Sequence, residues 1–306
     1  MDSKLNIKNN YKIYDCFMYF DEDNLLDFRL NYLNPYVNKF IIVECGYTHR
    51  GTKKKFNFNL GKFKQFRDKI VYIKIKNKPN NLNIIKRSDD NDTRDEKHIL
   101  NGYIWDHFQR NKIMDGLKDC HENDIIIISD LDEIPNIENL DFNKVKKKII
   151  FFRQKFLFYK FNLVYKDKDW FGSRACRFKD LISPQWLRDI KNKKYNFWRF
   201  DRFFSKNKYS DILHIENGGW HYTNIKSAED IFKKFNNYAH YREFELSKIT
   251  LKDIKNMIKN RRSIYNHNVD QKKNKFDGAI KLCKFAKKYW PVYLKKNYSK
   301  YKKWII

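Results

Sequence analysis

The chain has 306 residues, 42% of them apolar, 33% charged and 17% aromatic. That is enough apolar material to bury one large α/β core or two small ones, and the mixture excludes a helical membrane bundle and a mainly disordered chain. The formal net charge of +28 raises nucleic-acid binding as a function class.

In chain order, Ile13 to Phe20 reads as a strand rich in Tyr, Phe and Ile. Asp23 to Leu33 carries Leu25, Leu26, Phe28, Leu30 and Leu33 at helical spacing, with Asp21 or Asp23 as N-cap and Pro35 as the stop. Phe40 to Val43 is a continuous apolar run, the pattern of a strand buried on both faces. Lys69 to Ile75 alternates and reads as a third strand. The polar residues 77–95 read as a loop, and Glu96 to Leu117 as a long helix whose apolar face includes Tyr103, Trp105, Phe108 and Ile113. Four consecutive isoleucines, Ile125 to Ile128, mark a central strand. Strands alternating with helices predict an α/β fold with a largely parallel sheet and helices on both faces.

The second half is less regular. Ile149 to Tyr159 reads as one or two strands, Ile212 to Ile215 as another, and helices are expected from Ser227 onward. The segment from Phe276 to Ile306 is basic and aromatic. One continuous α/β domain with helical C-terminal decoration is expected.

The lysines are spread along the whole length and accompany much Asn, Ile, Tyr and Phe, the residues of AT-rich codons. No RRM, KH, zinc-finger or helix-turn-helix signature accompanies them. The charge therefore reads as compositional bias plus attraction for anionic ligands, and no stable nucleic-acid partner is expected. Cys16, Cys45, Cys120, Cys176 and Cys283 are odd in number and widely spaced, without a CxxC, so free thiols are expected. With no apolar h-region near Met1 and no apolar run of transmembrane length, a cytosol-like compartment is expected.

The chemistry concentrates where the isoleucine strand ends, in Ser129-Asp130-Leu131-Asp132-Glu133-Ile134-Pro135. Residues i and i+2 of an extended chain share a face, so Asp130 and Asp132 point the same way. Ligands of open α/β sheets bind beyond the carboxyl ends of strands. Two carboxylates there repel each other unless a cation lies between them, and Mn²⁺ or Mg²⁺ with phosphate oxygens answers that need. The chain lacks a P-loop, a GxGxxG, a GxSxG and the kinase set. A strand-end DxD without those points to a nucleotide-sugar transferase, in which the metal grips the departing diphosphate. Downstream, the glycines of Gly218-Gly219-Trp220-His221 permit unusual dihedrals or close backbone approach. A neutral His221 imidazole suits Mn²⁺, or else is a buried ring held by a carbonyl; Trp220 either stacks on a sugar of the acceptor or packs in the core.

The stretch from Tyr14 to Asn31 resembles the opening block of glycosyltransferase family 17. Further similarities follow in order: Val43-Glu44 with Thr48-His49 and Gly51, then Gln109-Arg110-Asn111, then Ile128 to Pro135, then Gly218 to Tyr222. Together they span about residues 13–245, with His221-Tyr222-Thr223 departing mildly from the family's His-Phe-Ser. The resemblance implies a GT-A-type fold with a Rossmann-like sheet, in one catalytic domain over residues 1–245 with a nucleotide-sugar half of about 1–135 and an acceptor half of about 136–245, followed by a basic helical C-terminal extension over 246–306. It implies an inverting transfer, usually from UDP-GlcNAc with Mn²⁺, to a glycan or glycoprotein acceptor. It implies Asp132 as direct metal ligand, Asp130 on ribose or on the metal through water, and His221 as a late ligand. Glu133 would anchor the loop or help position the sugar, and Arg110, Asn111, Arg29 and Glu44 would lie on the nucleotide side. An inverting transfer also needs a carboxylate base after the DxD. Of Asp180, Asp189, Asp201, Asp211 and Glu216, the expectation falls on Asp189, then Glu216. Arg174 and Arg188 are available to offset phosphate charge. A bacterial or viral glycan pathway suits the composition. The competing readings are a basic nucleic-acid-binding protein on an inactive α/β scaffold and a retaining transferase on the same fold.

Overall fold

The computed structural model describes residues 10–192, 208–209, 211–238, 241–267 and 279–306. Its larger sheet begins with β1 (Ile13–Met18), β2 (Lys39–Cys45), β3 (Ile70–Ile75) and β4 (Ile125–Asp130), all parallel in the order β3-β2-β1-β4. Beyond β4 the sheet continues through β9 (Arg174–Arg177), antiparallel to β4, then β6 (Ile149–Phe152), antiparallel to β9, then β10 (Ile212–Ile215), parallel to β6. A second, mainly antiparallel sheet runs β12-β8-β7-β11-β5, built from β5 (Glu133–Pro135), β7 (Gln154–Phe158), β8 (Leu163–Trp170), β11 (Gly219–Thr223) and β12 (Cys283–Lys284).

Helices cover both faces of the larger sheet, as alternating strands and helices require. On one face α1 (Asp23–Leu33) buries Leu26, Phe28, Leu30 and Leu33 against Phe17, Phe40 and Ile127. On the other, α2 (Asn91–Asn111) and α3 (Pro184–Asp189) set Trp105, Trp186 and Leu187 against Cys16, Ile41, Ile126 and Ile128. Cover on both faces is why β4 is isoleucine at successive positions and does not alternate. The second sheet shares the first core through Leu157 and Tyr222. Its other face, through Phe156, Phe158 and Tyr165, packs a third core with α4 (Ala228–Phe235), α5 (Tyr241–Ser247) and α6 (Leu251–Lys259).

The α/β class and the parallel arrangement follow the sequence pattern; several local boundaries do not. The first helix has Glu22 at its N-cap, without the side-chain cap expected of Asp21 or Asp23. The helix expected from Glu96 starts at Asn91, because Asp90 accepts from the Thr93 N–H and caps a polar first turn that carries no apolar period. It ends at Asn111, and 112–116 continue as a 3₁₀ turn. Between β2 and β3 the alternation is kept by a 3₁₀ run, Leu60–Lys69, and not by an α-helix. The stretch 149–159 splits at Arg153 into strands of different sheets. Of the C-terminal segment, Trp290, Leu294 and Tyr301 are buried in the core that contains α1. No helix among the described residues is long and apolar enough to cross a membrane.

Candidate functional site

β4 ends at Asp130; the chain turns through Leu131 and Asp132 into the three-residue β5, which pairs antiparallel with β11 so that His221 lies opposite Glu133. The Tyr222 N–H donates to the Asp132 carbonyl at 2.7 Å, locking the turn to the strand that carries His221. Gly219 makes this register possible. Its φ is +122°, and a Cβ there would collide with the Ile134 carbonyl.

One side chain holds the turn from beneath. Arg29 is fully buried and donates to both oxygens of Asp15, at 2.8 and 2.6 Å. Its Nη1 also donates to the carbonyls of Asp130, Leu131 and Glu133, at 3.0, 3.0 and 2.8 Å. Glu133 is buried as well. Its carboxylate accepts from the Asp130 N–H at 2.8 Å, from Trp170 Nε1 at 2.7 Å, and from Arg188 at 2.6 and 3.0 Å. The Asp130–Glu133 loop is thus fastened by an arginine below and a carboxylate behind.

The repulsion expected between Asp130 and Asp132 is met by cationic side chains of the chain itself. Asp130 receives Arg110 Nη2 at 3.1 Å on Oδ1 and Arg188 Nη2 at 3.1 Å on Oδ2. Burial alone would raise its carboxyl; Arg188 and Arg110 outweigh that and hold it far below the ordinary carboxylate range. Asp132 lies 3.4 Å from His221 Nε2 and 3.7 Å from Lys234 Nζ. Against the same cost of burial, those two partners lower it as well. The His221 ring is stacked on Phe156 at 4.7 Å, and its Nδ1 is buried without a hydrogen-bond partner, so Nε2 is the nitrogen turned to the carboxylate.

Asp130, Asp132, His221 and Arg110 line one cavity of about 420 Å³ at the carboxyl ends of β1, β2 and β4. Its other walls are Tyr19, Phe20 and Glu22, Tyr47 to His49, Lys54, Lys234 and the aromatic rings of Phe156, Trp170, Tyr238 and Tyr265. The remaining sequence candidates lie outside that lining. Arg29, expected on the nucleotide side, is committed to Asp15 and the loop carbonyls. Glu44 is fully buried and binds the Asn57 and Phe58 N–H groups, the Tyr72 hydroxyl and Lys54. Asn111 accepts from the Gln185 N–H and so seats α3. Trp220 takes the core alternative, edge-on to Tyr32 at 5.5 Å with its Nε1 on the Tyr289 carbonyl. Glu216 is an exposed residue paired with Arg153 at 3.0 Å. Asp189 is exposed at the end of α3 and accepts from Gln185, whose own Oε1 accepts from Arg110. Asp180 and Asp211 pair with Lys148 and Lys147, and Asp201 lies outside the described residues.

Sequence reasoning did not single out Lys234, Glu22, Lys226 or Asp106. Lys234 is one of 65 basic residues and nothing local marks it. Arg188, which had no fixed place, spans Asp130 and Glu133. Arg174 donates to the carbonyls of Leu187, Arg188 and Ile190, with burial and Arg188 pushing it down to about 9.

The Glu22 pairs give a pH signature. Lys226 and Lys234 both lie 3.3 Å from Glu22 Oε1. Burial raises the carboxyl, and the two ammonium groups outweigh it and bring it from 4.5 to about 2. The folded value is below the unfolded one, so the stabilisation is complete above pH 4.5 and is lost as pH falls toward 2. It amounts to about 3 kcal/mol. Urea unfolding of wild type and Glu22→Gln across that window is expected to show a shallower loss in the variant; parallel curves would mean that these pairs contribute nothing.

The sequence model of glycosyltransferase family 17 matches residues 3–304, nearly the whole chain and well beyond the span of 13–245 read from the motifs. No curated protein matches the sequence. The chain belongs to glycosyltransferase family 17.

Proposed function

We propose that this family 17 glycosyltransferase moves GlcNAc from UDP-GlcNAc to a hydroxyl of a glycan acceptor, with inversion and with the help of Mn²⁺ or Mg²⁺. The observation that carries the reading is the pairing of Asp132 Oδ1 and His221 Nε2, 3.4 Å apart on the cavity wall. An ion with bonds of about 2.1 Å in octahedral geometry sets neighbouring donors about 3 Å apart, so the two atoms fit as adjacent ligands. Among the described residues no third His, Cys, Asp or Glu completes a cluster, which suits an ion that keeps waters and takes phosphate oxygens. When bound, such an ion stabilises negative charge on the leaving diphosphate.

The chain's own residues do the rest. Arg110, Lys54 and Lys234 bring positive charge to the cavity, and Arg110 is fixed by Asp106 and Asp130, so it meets a diphosphate without rearranging. The rings of Phe156, Trp170 and Tyr265 exclude water from the reacting end and offer apolar faces to a sugar. The acceptor oxygen bonds to the anomeric carbon, the bond from that carbon to UDP breaks, and the hydroxyl proton passes to a carboxylate. Neither candidate base, Asp189 or Glu216, lines the cavity; Asp189 is joined to it only indirectly, through Gln185 and Arg110. The convergence of Asp130, Asp132 and His221 on one cavity favours catalysis over a basic binding protein on an inactive scaffold.

Calorimetric titration of UDP with Mn²⁺, and again with EDTA, tests this. Binding with metal and none with EDTA is expected. Equal binding in both would remove the ion from the mechanism, and no binding in either would remove the nucleotide.

A further inference from the structure

We propose that residues 284–303 form a docking face for anionic lipid surfaces. From 279 to 306 the sequence has nine lysines and no arginine, aspartate or glutamate. The fold gathers part of this segment into one patch. Lys287 Nζ lies 5.8 Å from the Tyr298 ring, Lys288 Nζ lies 4.9 Å from the Tyr289 ring, and Lys295 Nζ donates to the Lys288 carbonyl at 2.8 Å. Three side chains among these lysines leave apolar surface in water: Tyr289 is 55% exposed, Val292 46% and Tyr298 40%. Val292 begins a short helix, Val292–Lys296, which places Lys295 and Lys296 on its side of the turn.

The patch is held rigidly from below. Trp290, Leu294 and Tyr301 are buried in the first core, Trp290 Nε1 donates to the Phe285 carbonyl at 2.9 Å, and Tyr301 donates to Asp27 at 2.8 Å. Trp220 Nε1 reaches the Tyr289 carbonyl from β11, whereas His221, next along that strand, turns to the opposite side and lines the cavity. Docking through the patch therefore leaves that cavity wall uncovered.

Lysines ringed around exposed tyrosines and a valine match a lipid interface, where ammonium groups meet anionic headgroups and amphipathic rings sit at headgroup level. Nucleic acid is the weaker match: lysine meets its phosphates equally well, but the segment has no arginine for bidentate base contacts, and an exposed Val292 between the tyrosines suits an acyl boundary.

The test uses the full chain with vesicles of phosphatidylcholine alone and of phosphatidylcholine with one-third phosphatidylserine. Sedimentation with the anionic vesicles only, weakening as salt rises, is expected. Each lysine at such a surface is worth about fivefold in partitioning, so replacing Lys287, Lys288, Lys295 and Lys296 by Gln lowers it by several hundredfold, to order of magnitude. A control with the same charge loss replaces the exposed Lys64, Lys76, Lys146 and Lys252 by Gln and changes partitioning by less than about fivefold. Tyr289→Ser with Tyr298→Ser lowers partitioning about tenfold at unchanged charge. Equal loss in the two lysine sets would make the attraction a general property of a basic protein and overturn the proposal. So would a duplex oligonucleotide that binds more tightly than the vesicles and is released by the same four patch substitutions.

Discussion

Asp132→Asn is expected to lower sugar transfer by about a thousandfold, the scale of losing one preorganised electrostatic contact in an active site, while leaving the protein folded. The side chain sits at a turn between β4 and β5, not in a core, and the structural duty of the residue falls to its backbone carbonyl, which accepts from Tyr222. Asparagine keeps that bond and nearly the same shape. What it removes is a negative charge facing His221 Nε2 at 3.4 Å and Lys234 Nζ at 3.7 Å. Lys234 retains Glu22, so no cation is stranded. The metal-dependent part of UDP binding should vanish in calorimetry while the urea midpoint stays near that of wild type. A variant that binds UDP with Mn²⁺ as tightly as wild type would show that Asp132 is not the ligand.

What the sequence revealed and what it hid divide along physical lines. Four isoleucines followed by Asp-Leu-Asp are a local signal, and both the central strand and the acidic turn lie where that signal puts them. The first helix matches its expected span, Asp23–Leu33, because a stripe of leucines with a proline beyond it needs no tertiary information. The meeting of Asp132 with His221 was legible only through the family resemblance. It depends on a three-residue strand pairing across 86 positions, and so short a strand has no periodicity to read. Charged residues misled in the other direction. Arg29 and Glu44 were expected on the nucleotide side from the family resemblance, yet both are fully buried and hold backbone. Glu133 resolved to the loop-anchoring half of its two readings. A sequence does not state whether a charge faces a cavity or a neighbour 100 residues away, and that is why Lys234 was missed.

Arg29→Met is expected to destabilise the protein by about 3–5 kcal/mol, a large share of a total stability of roughly 5–15 kcal/mol. Methionine fills much of the same volume over the Phe17 ring, which the guanidinium covers at 4.5 Å. The cost comes from what is stranded: a fully buried Asp15 carboxylate with no cation, and three loop carbonyls that lose the arginine, of which Glu133 keeps the Ser173 hydroxyl at 3.0 Å. The two losses separate in a double variant. Asp15→Leu added to Arg29→Met removes the stranded charge, and replacing a buried ion pair with apolar groups is often nearly neutral for stability. The carbonyls of Asp130, Leu131 and Glu133 still lack the arginine in that variant, with Glu133 held by Ser173 Oγ, so the acidic turn keeps its freedom to shift. Chemical denaturation should therefore recover most of the stability, while UDP binding with Mn²⁺ stays weaker than wild type by about tenfold or more, the usual effect of losing support behind a metal ligand. Recovery of both would mean that the β5–β11 pairing alone positions Asp132, with Arg29 serving only the buried carboxylate. Recovery of stability without binding would identify Arg29 as a positioning residue, acting on the site through three backbone oxygens and never touching the substrate.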